Sequence, residues 1–303
     1  NLTGIDLIVG GHSKTLLANN NIQAKGPYPF IVKNPKNKMV PIVQAYGYGK
    51  YYGEIKITFT EQGEVTTATG NTVLLDSAVG EDPVVKSRID DLNAQLDEIR
   101  NIKVGDTTEF IDGERQSCRA GECTMGNLVT DIMLWRFQKR GVDLAIQNGG
   151  GLRASINSGE VNWGDILTVL PFRNSIVLFR IKGKHIIEAL ENGFSKAEEL
   201  AGRFPQISGM RVFWNPDAPP GSRVTQVEIG NNQEGYKPFE PETIYLVATN
   251  DYLLKGGDGY KVFKTKAVDT HAMGPRLADA MADYFAIKSP LKVSLEGRIQ
   301  KSD

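Results

Sequence analysis

Histidine and cysteine are scarce in this chain: three of the former and two of the latter among 303 residues. None of the histidines lies near the cysteines in sequence, which argues against a zinc site built around Cys118 and Cys123. Charge of one sign is also lacking. The 35 basic and 36 acidic residues leave a net charge of −1 without any Lys/Arg block, so neither nucleic acid nor an anionic membrane is the expected partner. No apolar run approaches the roughly 20 residues that a helix needs to span a bilayer. Internal repeats and low-complexity tracts are missing too. The chain starts at Asn1 rather than methionine, and its first residues already read as the end of a strand, Ile5–Val9. It is therefore expected to be a fragment or a mature form, with any targeting segment out of view.

What remains is the composition of a globular protein, 40% hydrophobic and 23% charged, long enough for two domains. Residues 1–79 read as β-rich. Val40–Ala45 is a strand candidate, Gly53–Phe59 and Val65–Ala68 form a hairpin, and the Pro-, Asn- and Lys-rich stretch from Lys25 to Lys38 reads as a surface loop. A helix is expected over 80–103, with Asp82 ahead of Pro83 at its start. Its apolar positions Val85, Ile89, Leu92, Leu96 and Ile99 recur three or four apart, a pattern expected to pack into a core. This helix would connect the β-rich part to a mixed α and β region, 104–303. There the pattern predicts a helix over Thr124–Arg140 with Thr124 as cap, helices at Trp163–Val169, Lys184–Phe194 and Pro275–Ala286, and strands at 142–147, Ser175–Ile181, Met210–Trp214, Val224–Ile229, Ile244–Ala248 and Val293–Ile299.

Cys118 and Cys123 sit in Ser-Cys-Arg-Ala-Gly-Glu-Cys. Two reduced thiols are one reading. A local disulfide is the preferred one, because Gly121 allows a tight loop, and it would shape the loop carrying Arg119 in an oxidising compartment. Arg115 and Arg119 precede a predicted helix, where charge and unpaired backbone amides favour an anion. Asn148-Gly149-Gly150-Gly151-Leu152-Arg153 follows the apolar run Val142–Ile146. Its glycines can take φ > 0 and approach a ligand closely, and Arg153 offers a fork that fits phosphate or carboxylate. Phe172 follows a proline at the end of a short helix. Tyr252 follows the apolar run Ile244–Thr249. Asp258, between glycines, could accept hydrogen bonds from a ribose diol.

Gly10-Gly11-His12-Ser13, Cys118-Arg119 with Met125-Gly126-Asn127-Leu128, Asn148–Arg153, Leu170-Pro171-Phe172 and Gly256-Gly257-Asp258-Gly259 occur in an order that resembles the 5′-nucleotidases. That family includes animal ecto-5′-nucleotidases and bacterial periplasmic UDP-sugar hydrolases. The resemblance implies an α+β (mixed α/β) C-terminal substrate domain, preceded by a connector helix and the β-rich tail of a calcineurin-like metallophosphoesterase domain. It implies hydrolysis of nucleoside 5′-monophosphates with two divalent metal ions such as zinc or manganese, in a periplasmic, secreted or cell-surface protein. Phe172 and Tyr252 would sandwich the base, the tyrosine hydroxyl adding little. Asn148 would contact the base, Asp258 the ribose, and Arg115, Arg119 and Arg153 the phosphate, with Gly149, Gly150 and Gly151 shaping the loop. His12 would be a metal ligand.

Two departures stand beside this. The family's earlier metal motifs are absent, so the chain by itself is expected to bind nucleotides without hydrolysing them, its partner being the N-terminal metallophosphoesterase domain. Lys14 stands two residues after His12, where the family usually has another ligand-type side chain. A non-catalytic nucleotide-binding module is the alternative. A dinucleotide-dependent oxidoreductase is disfavoured because no Gly-x-Gly-x-x-Gly opens a helix.

Overall fold

The computed structural model describes residues 3–271 and 274–302, and the chain divides into two compact units, Asn1–Asp91 and Leu92–Asp303. In the first, the strand Met39–Val43 pairs in parallel with Ile8–Val9 and antiparallel with Phe30–Lys33. The expected loop Lys25–Lys38 thus contains a strand. Asn34 makes the tight turn behind it, its Oδ1 accepting from the amides of Lys36 and Lys38. The hairpin forms as read, though longer, from Tyr51–Phe59 and Val65–Leu74. Leu17, Tyr28 and Val43 make a small core.

The helix Pro83–Arg100 carries the boundary between the units. Asp82 caps it, its Oδ1 accepting from Val84 and Val85 amides at 2.9 and 3.0 Å. The expectation that its apolar stripe packs into a core is overturned. Val85, Ile89, Leu92, Leu96 and Ile99 are each between 44% and 56% exposed, so the helix rests on its backbone ladder and its cap.

The second unit is built on a five-stranded mixed sheet in the order Pro205–Ser208, Leu144–Asn148, Ile244–Asn250, Ile176–Lys182, Val268–His271. Leu144–Asn148 runs parallel to Ile244–Asn250, while the other pairs are antiparallel. Alternate residues of these strands feed two cores, one on each face. Ala145, Leu178 and Ala248 pack with the helices Thr124–Arg136 and Leu277–Lys288, whereas Ile146, Phe179 and Val247 pack with Gly183–Phe194 and Lys261–Lys266. Burial on both faces explains the continuous apolar runs in the sequence. A four-stranded sheet (Gly235–Pro238, Val224–Asn231, Met210–Trp214, Ile299–Lys301) and a ribbon of Lys103–Thr107 with Gly159–Asn162 complete the unit. The fold is mixed α and β, as expected.

Two boundaries differ from the sequence reading for visible reasons. Cys123, not Thr124, caps the helix Thr124–Arg136, its Sγ accepting from the Gly126 amide, while Thr124 Oγ1 accepts from the Asp112 amide at 2.7 Å. A single 3₁₀ turn, Gln138–Arg140, then runs to Gly141 at φ 65°. The last strand begins at Ile299 rather than Val293, because the Glu122 carboxylate takes the amides of Glu296 and Arg298 and Gly297 turns the chain at φ 72°.

Candidate functional site

The C-terminal ends of the parallel neighbours Leu144–Asn148 and Ile244–Asn250 open at the same edge of the sheet, the place where open α/β sheets hold ligands. One strand continues into the turn Gly149–Gly151 and the other into the short helix Asp251–Leu254. Between them lies a cavity of about 480 Å³. Arg119, Asn148, Gly150, Gly151, Phe172, Tyr252 and Asp258 all line it, although they are scattered along the sequence. Asn174 and Gly202 line it too and carried no sequence signal of their own.

The two rings are not core residues. Phe172 is 55% exposed and Tyr252 44%, although each is seated. A Cβ on Gly257 would stand 2.4 Å from Tyr252 Cζ, so the glycine backbone lies flat against one face of the ring and leaves the other face to the cavity. The Arg153 guanidinium sits 5.8 Å from the Phe172 ring centre.

A buried amide network fixes the polar floor. Asn250 Oδ1 accepts from the Leu253 amide and so caps the helix bearing Tyr252. Its Nδ2 donates to Gln147 Oε1 at 2.8 Å and Asn148 Oδ1 at 3.0 Å. Asn148 Nδ2 in turn donates to Asp258 Oδ2 at 2.8 Å. The Tyr252 hydroxyl donates to Asp258 Oδ1 at 2.9 Å and accepts from the Asp258 amide at 3.1 Å. The hydroxyl is thus bonded at both its donor and its acceptor side to Asp258.

Arg119 is 9% exposed and its buried Nε has no partner among the described residues. Its Nη1 reaches the Leu200 carbonyl at 3.3 Å, a carbonyl shared with Arg115. Burial, then the neighbouring cations Arg115 and Arg153, pull its pKa below the ordinary arginine value, and Asp258 opposes them. Three guanidinium groups thus face one carboxylate, a field that an anion would relieve. Arg115 and Arg153 lie beside the cavity rather than in its wall, close enough to act through charge.

Two reasons given from sequence need correction. None of Gly149, Gly150 and Gly151 has positive φ, and the amides of Gly149 and Gly150 are already bonded to the carbonyls of Phe204 and Gly202. The glycines are needed because the chain packs against them. An added Cβ would lie 2.2 Å from the Cys118 carbonyl oxygen at Gly149, 2.8 Å from Gly202 Cα at Gly150 and 2.2 Å from Gln147 Nε2 at Gly151. Nor do Arg115 and Arg119 sit at an open helix N-terminus. Arg115 starts the short helix Arg115–Cys118, Arg119 closes it, and the first amides of the following helix are bonded to Asp112 and Cys123. The positive charge at this place comes from the guanidinium side chains rather than from a helix end.

Cys118 and Cys123 form a disulfide, both buried. Gln206, unmarked by any motif, braces that loop from the neighbouring strand. Its Nε2 donates to the carbonyls of Gly121 and Cys118 at 2.7 and 3.1 Å, and its Oε1 accepts from the Cys123 amide at 3.1 Å.

In the first unit His12 is exposed and left-handed at φ 63°. Lys14 donates to the Tyr48 hydroxyl with its ammonium 4.1 Å from that ring's centre. Among the described residues no group of three or more His, Cys, Asp or Glu side chains is arranged to hold a metal ion, so His12 does not by itself fit a two-ion centre. A second cavity in the larger unit, of about 470 Å³, contains none of these residues. Its buried Arg298 is already committed to Asp131 and Glu296.

Residues 103–265 match the model of the 5′-nucleotidase C-terminal domain family. The chain is 35% identical to the 5′-nucleotidase of Bos taurus over 99% of its own length and 55% of that protein's. It is 32% identical to the snake venom 5′-nucleotidase of Macrovipera lebetinus, over 98% of the chain and 77% of the relative. Among solved structures, the 5′-nucleotidase precursor from Thermus thermophilus superposes with a TM-score of 0.79 at 38% identity, covering 99% of this chain and 60% of that one. The chain spans about half the length of the mammalian relatives it matches.

Proposed function

Because the chain belongs to the 5′-nucleotidase family, we propose that it supplies the nucleoside-binding part of an enzyme that hydrolyses nucleoside 5′-monophosphates to nucleoside and phosphate. Residues 104–303 would be the substrate domain, 80–103 its connector and 1–79 the tail of a metallophosphoesterase domain. The observation that carries this reading is one cavity lined by two half-exposed rings, a carboxylate and a buried arginine reinforced by two others.

Phe172 and Tyr252 take the base between them, a platform that tolerates several bases because every base has a π-face. Asn148 meets the base edge and Asp258 the ribose hydroxyls. Arg119, flanked by Arg115 and Arg153, holds the phosphate through charge-assisted hydrogen bonds. Fixing both ends of the substrate this way orients the phosphoester for attack. The two divalent ions would be held by the metallophosphoesterase part, to which this chain would bring His12, and there they would activate the attacking water. The disulfide and the venom relative support a periplasmic, secreted or cell-surface location.

Calorimetric titration of this chain with adenosine and AMP tests the reading. AMP should bind more tightly, the margin should shrink as salt rises because guanidinium–phosphate attraction is screened, and Arg119→Met should remove most of it. No phosphate release is expected from the chain alone with Mn²⁺ or Zn²⁺. Nucleoside binding unaffected by Phe172→Ala and Tyr252→Ala together would refute the assignment of the cleft. Metal-dependent turnover by this chain would show the catalytic groups to lie within it.

A further inference from the structure

We propose that the Tyr252 hydroxyl, acting through Asp258, makes this cleft select nucleosides that carry an intact 2′,3′-cis-diol. The inference rests on the nucleoside reading of the cleft and adds a specificity-determining role for a group outside base stacking.

The ring of Tyr252 is seated without its hydroxyl. Gly257 backs one face and the Asn250 cap holds the helix that carries it, so a phenylalanine would pack as well. Among the described residues the hydroxyl bonds to Asp258 alone, donating to Oδ1 and accepting from the amide of the same residue. Asp258 has left-handed geometry, φ 50° and ψ 24°, uncommon for a residue with a side chain though more accessible to aspartate than to most, and hydrogen bonds hold it there. The Tyr252 hydroxyl provides two of those restraints, and Asn192 Nδ2 provides a third by donating to the Asp258 carbonyl at 3.2 Å.

An ionised carboxylate offers about four lone-pair sites, two on each oxygen. Here Tyr252 occupies one site on Oδ1 and Asn148 Nδ2 one site on Oδ2. One acceptor site is left on each oxygen, and the plane of the group is fixed from both sides. That remainder matches two adjacent hydroxyl donors, as on a ribose ring, and a sugar with a single hydroxyl leaves one oxygen of a half-buried carboxylate short of a partner. Without the tyrosine hydroxyl, Oδ1 is no longer fixed and the carboxylate can turn to serve a lone hydroxyl. Burial, with the Asp258 hydrogen bond adding to it, raises the Tyr252 pKa and keeps the phenol a donor.

The test is a calorimetric series with adenosine, 2′-deoxyadenosine, 3′-deoxyadenosine and adenine on the full chain. Wild type should bind adenosine roughly tenfold or more tightly than either deoxynucleoside, the range for hydrogen bonds to a charged group. Tyr252→Phe should leave adenine affinity within about twofold, since the stack is kept, and cut the ribose preference to about threefold. In an Asp258→Asn background, where the preference should already be lost, adding Tyr252→Phe should change it less than twofold. Asp258→Asn alone tests the carboxylate separately from the hydroxyl, and the coupling is read from the two backgrounds together. A ribose preference unchanged by Tyr252→Phe overturns the proposal, as does one retained in Asp258→Asn or one altered equally in both backgrounds. Adenosine binding in every variant with unaltered ratios sinks this inference and leaves the cleft assignment standing. Absence of adenosine binding by wild type sinks both.

Discussion

Gly149→Ala places one methyl group where the structure has no room for it. Its Cβ would fall 2.2 Å from the Cys118 carbonyl oxygen, 3.1 Å from Cys118 carbonyl carbon and 3.4 Å from Arg119 Cγ. The first contact is backbone on both sides. Gly149 is tied by its amide to Phe204, and Cys118 is tied by the disulfide and by Gln206, so neither can yield as a flexible side-chain end would. Overpacking of this kind costs about 1–3 kcal/mol and sometimes more, and the rigidity here puts the expectation near 3 kcal/mol. For a unit of this size each 1 kcal/mol lowers the melting midpoint by about 2–4 °C, which gives a drop of roughly 6–12 °C. Gly121→Ala in the same disulfide loop is the control, because its Cβ would meet nothing within 4 Å and its φ is not positive. It should move the midpoint by less than about 2 °C. The strained variant should also lose AMP affinity more than adenosine affinity, since the clash pushes the loop that carries Arg119. Thermal unfolding of both variants, followed by the two titrations, measures this. A Gly149→Ala midpoint within about 2 °C of wild type would refute the claim that these glycines exist for chain-to-chain approach.

Intact mass under non-reducing conditions should show the chain two hydrogens lighter than its reduced form, with no thiol open to alkylation. Replacing both cysteines by serine should destabilise by roughly 2 kcal/mol, the scale for so short a ring, and reduce the preference for AMP over adenosine. An unchanged preference would show that Gln206 alone positions Arg119. The Glu242 carboxyl, held by Lys182 and Lys184 at 2.9 and 3.0 Å, is depressed from its ordinary value near 4.5 to about 2. Its contribution to stability is therefore complete above about pH 4.5 and lost as pH falls towards 2. Glu242→Gln should flatten the dependence of stability on pH in that window and leave it unaltered above about pH 5, as read from denaturant midpoints.

Much of the site was legible because its residues sit at chemical punctuation. Asn148, Phe172 and Asp258 follow the end of an apolar or helical segment beside glycine or proline, Tyr252 follows the apolar run Ile244–Thr249, and strand ends are where a sheet presents side chains to ligands. Met210–Trp214 and Trp163–Val169 emerged at the predicted bounds. Lys103–Thr107 and Pro205–Ser208 did not, because each is short and rich in polar or breaking residues and pairs with a strand far away in sequence. Phe30–Lys33 did not either, because its four residues lie in a stretch of proline, asparagine and lysine that masks a local hairpin with Met39–Val43. The exposed stripe of Pro83–Arg100 shows the converse limit. Periodicity states which face is apolar and is silent on what, if anything, covers it.

The least legible part is the one on which the site's geometry most depends. Gln147, Asn250 and Gln206 are uncharged amides, buried to within 1% of full coverage, and no spacing or motif distinguishes them from surface amides. Each is fixed by partners far away in sequence: Asn250 by residues 102 and 103 positions distant, Gln206 by residues 83 to 88 positions distant. A buried amide left unpaired is expensive, so such groups survive only where the fold completes their hydrogen bonds. Asn250 completes them in two directions at once, capping the helix of Tyr252 with its oxygen and orienting Gln147 and Asn148 with its nitrogen. One side chain therefore sets the relation between the Tyr252 ring and the Asn148 amide, the two groups proposed to meet the base. It does so across two parallel strands that are neighbours only after the chain has folded, and that is why the pattern along the sequence identified the residues without identifying what holds them in place.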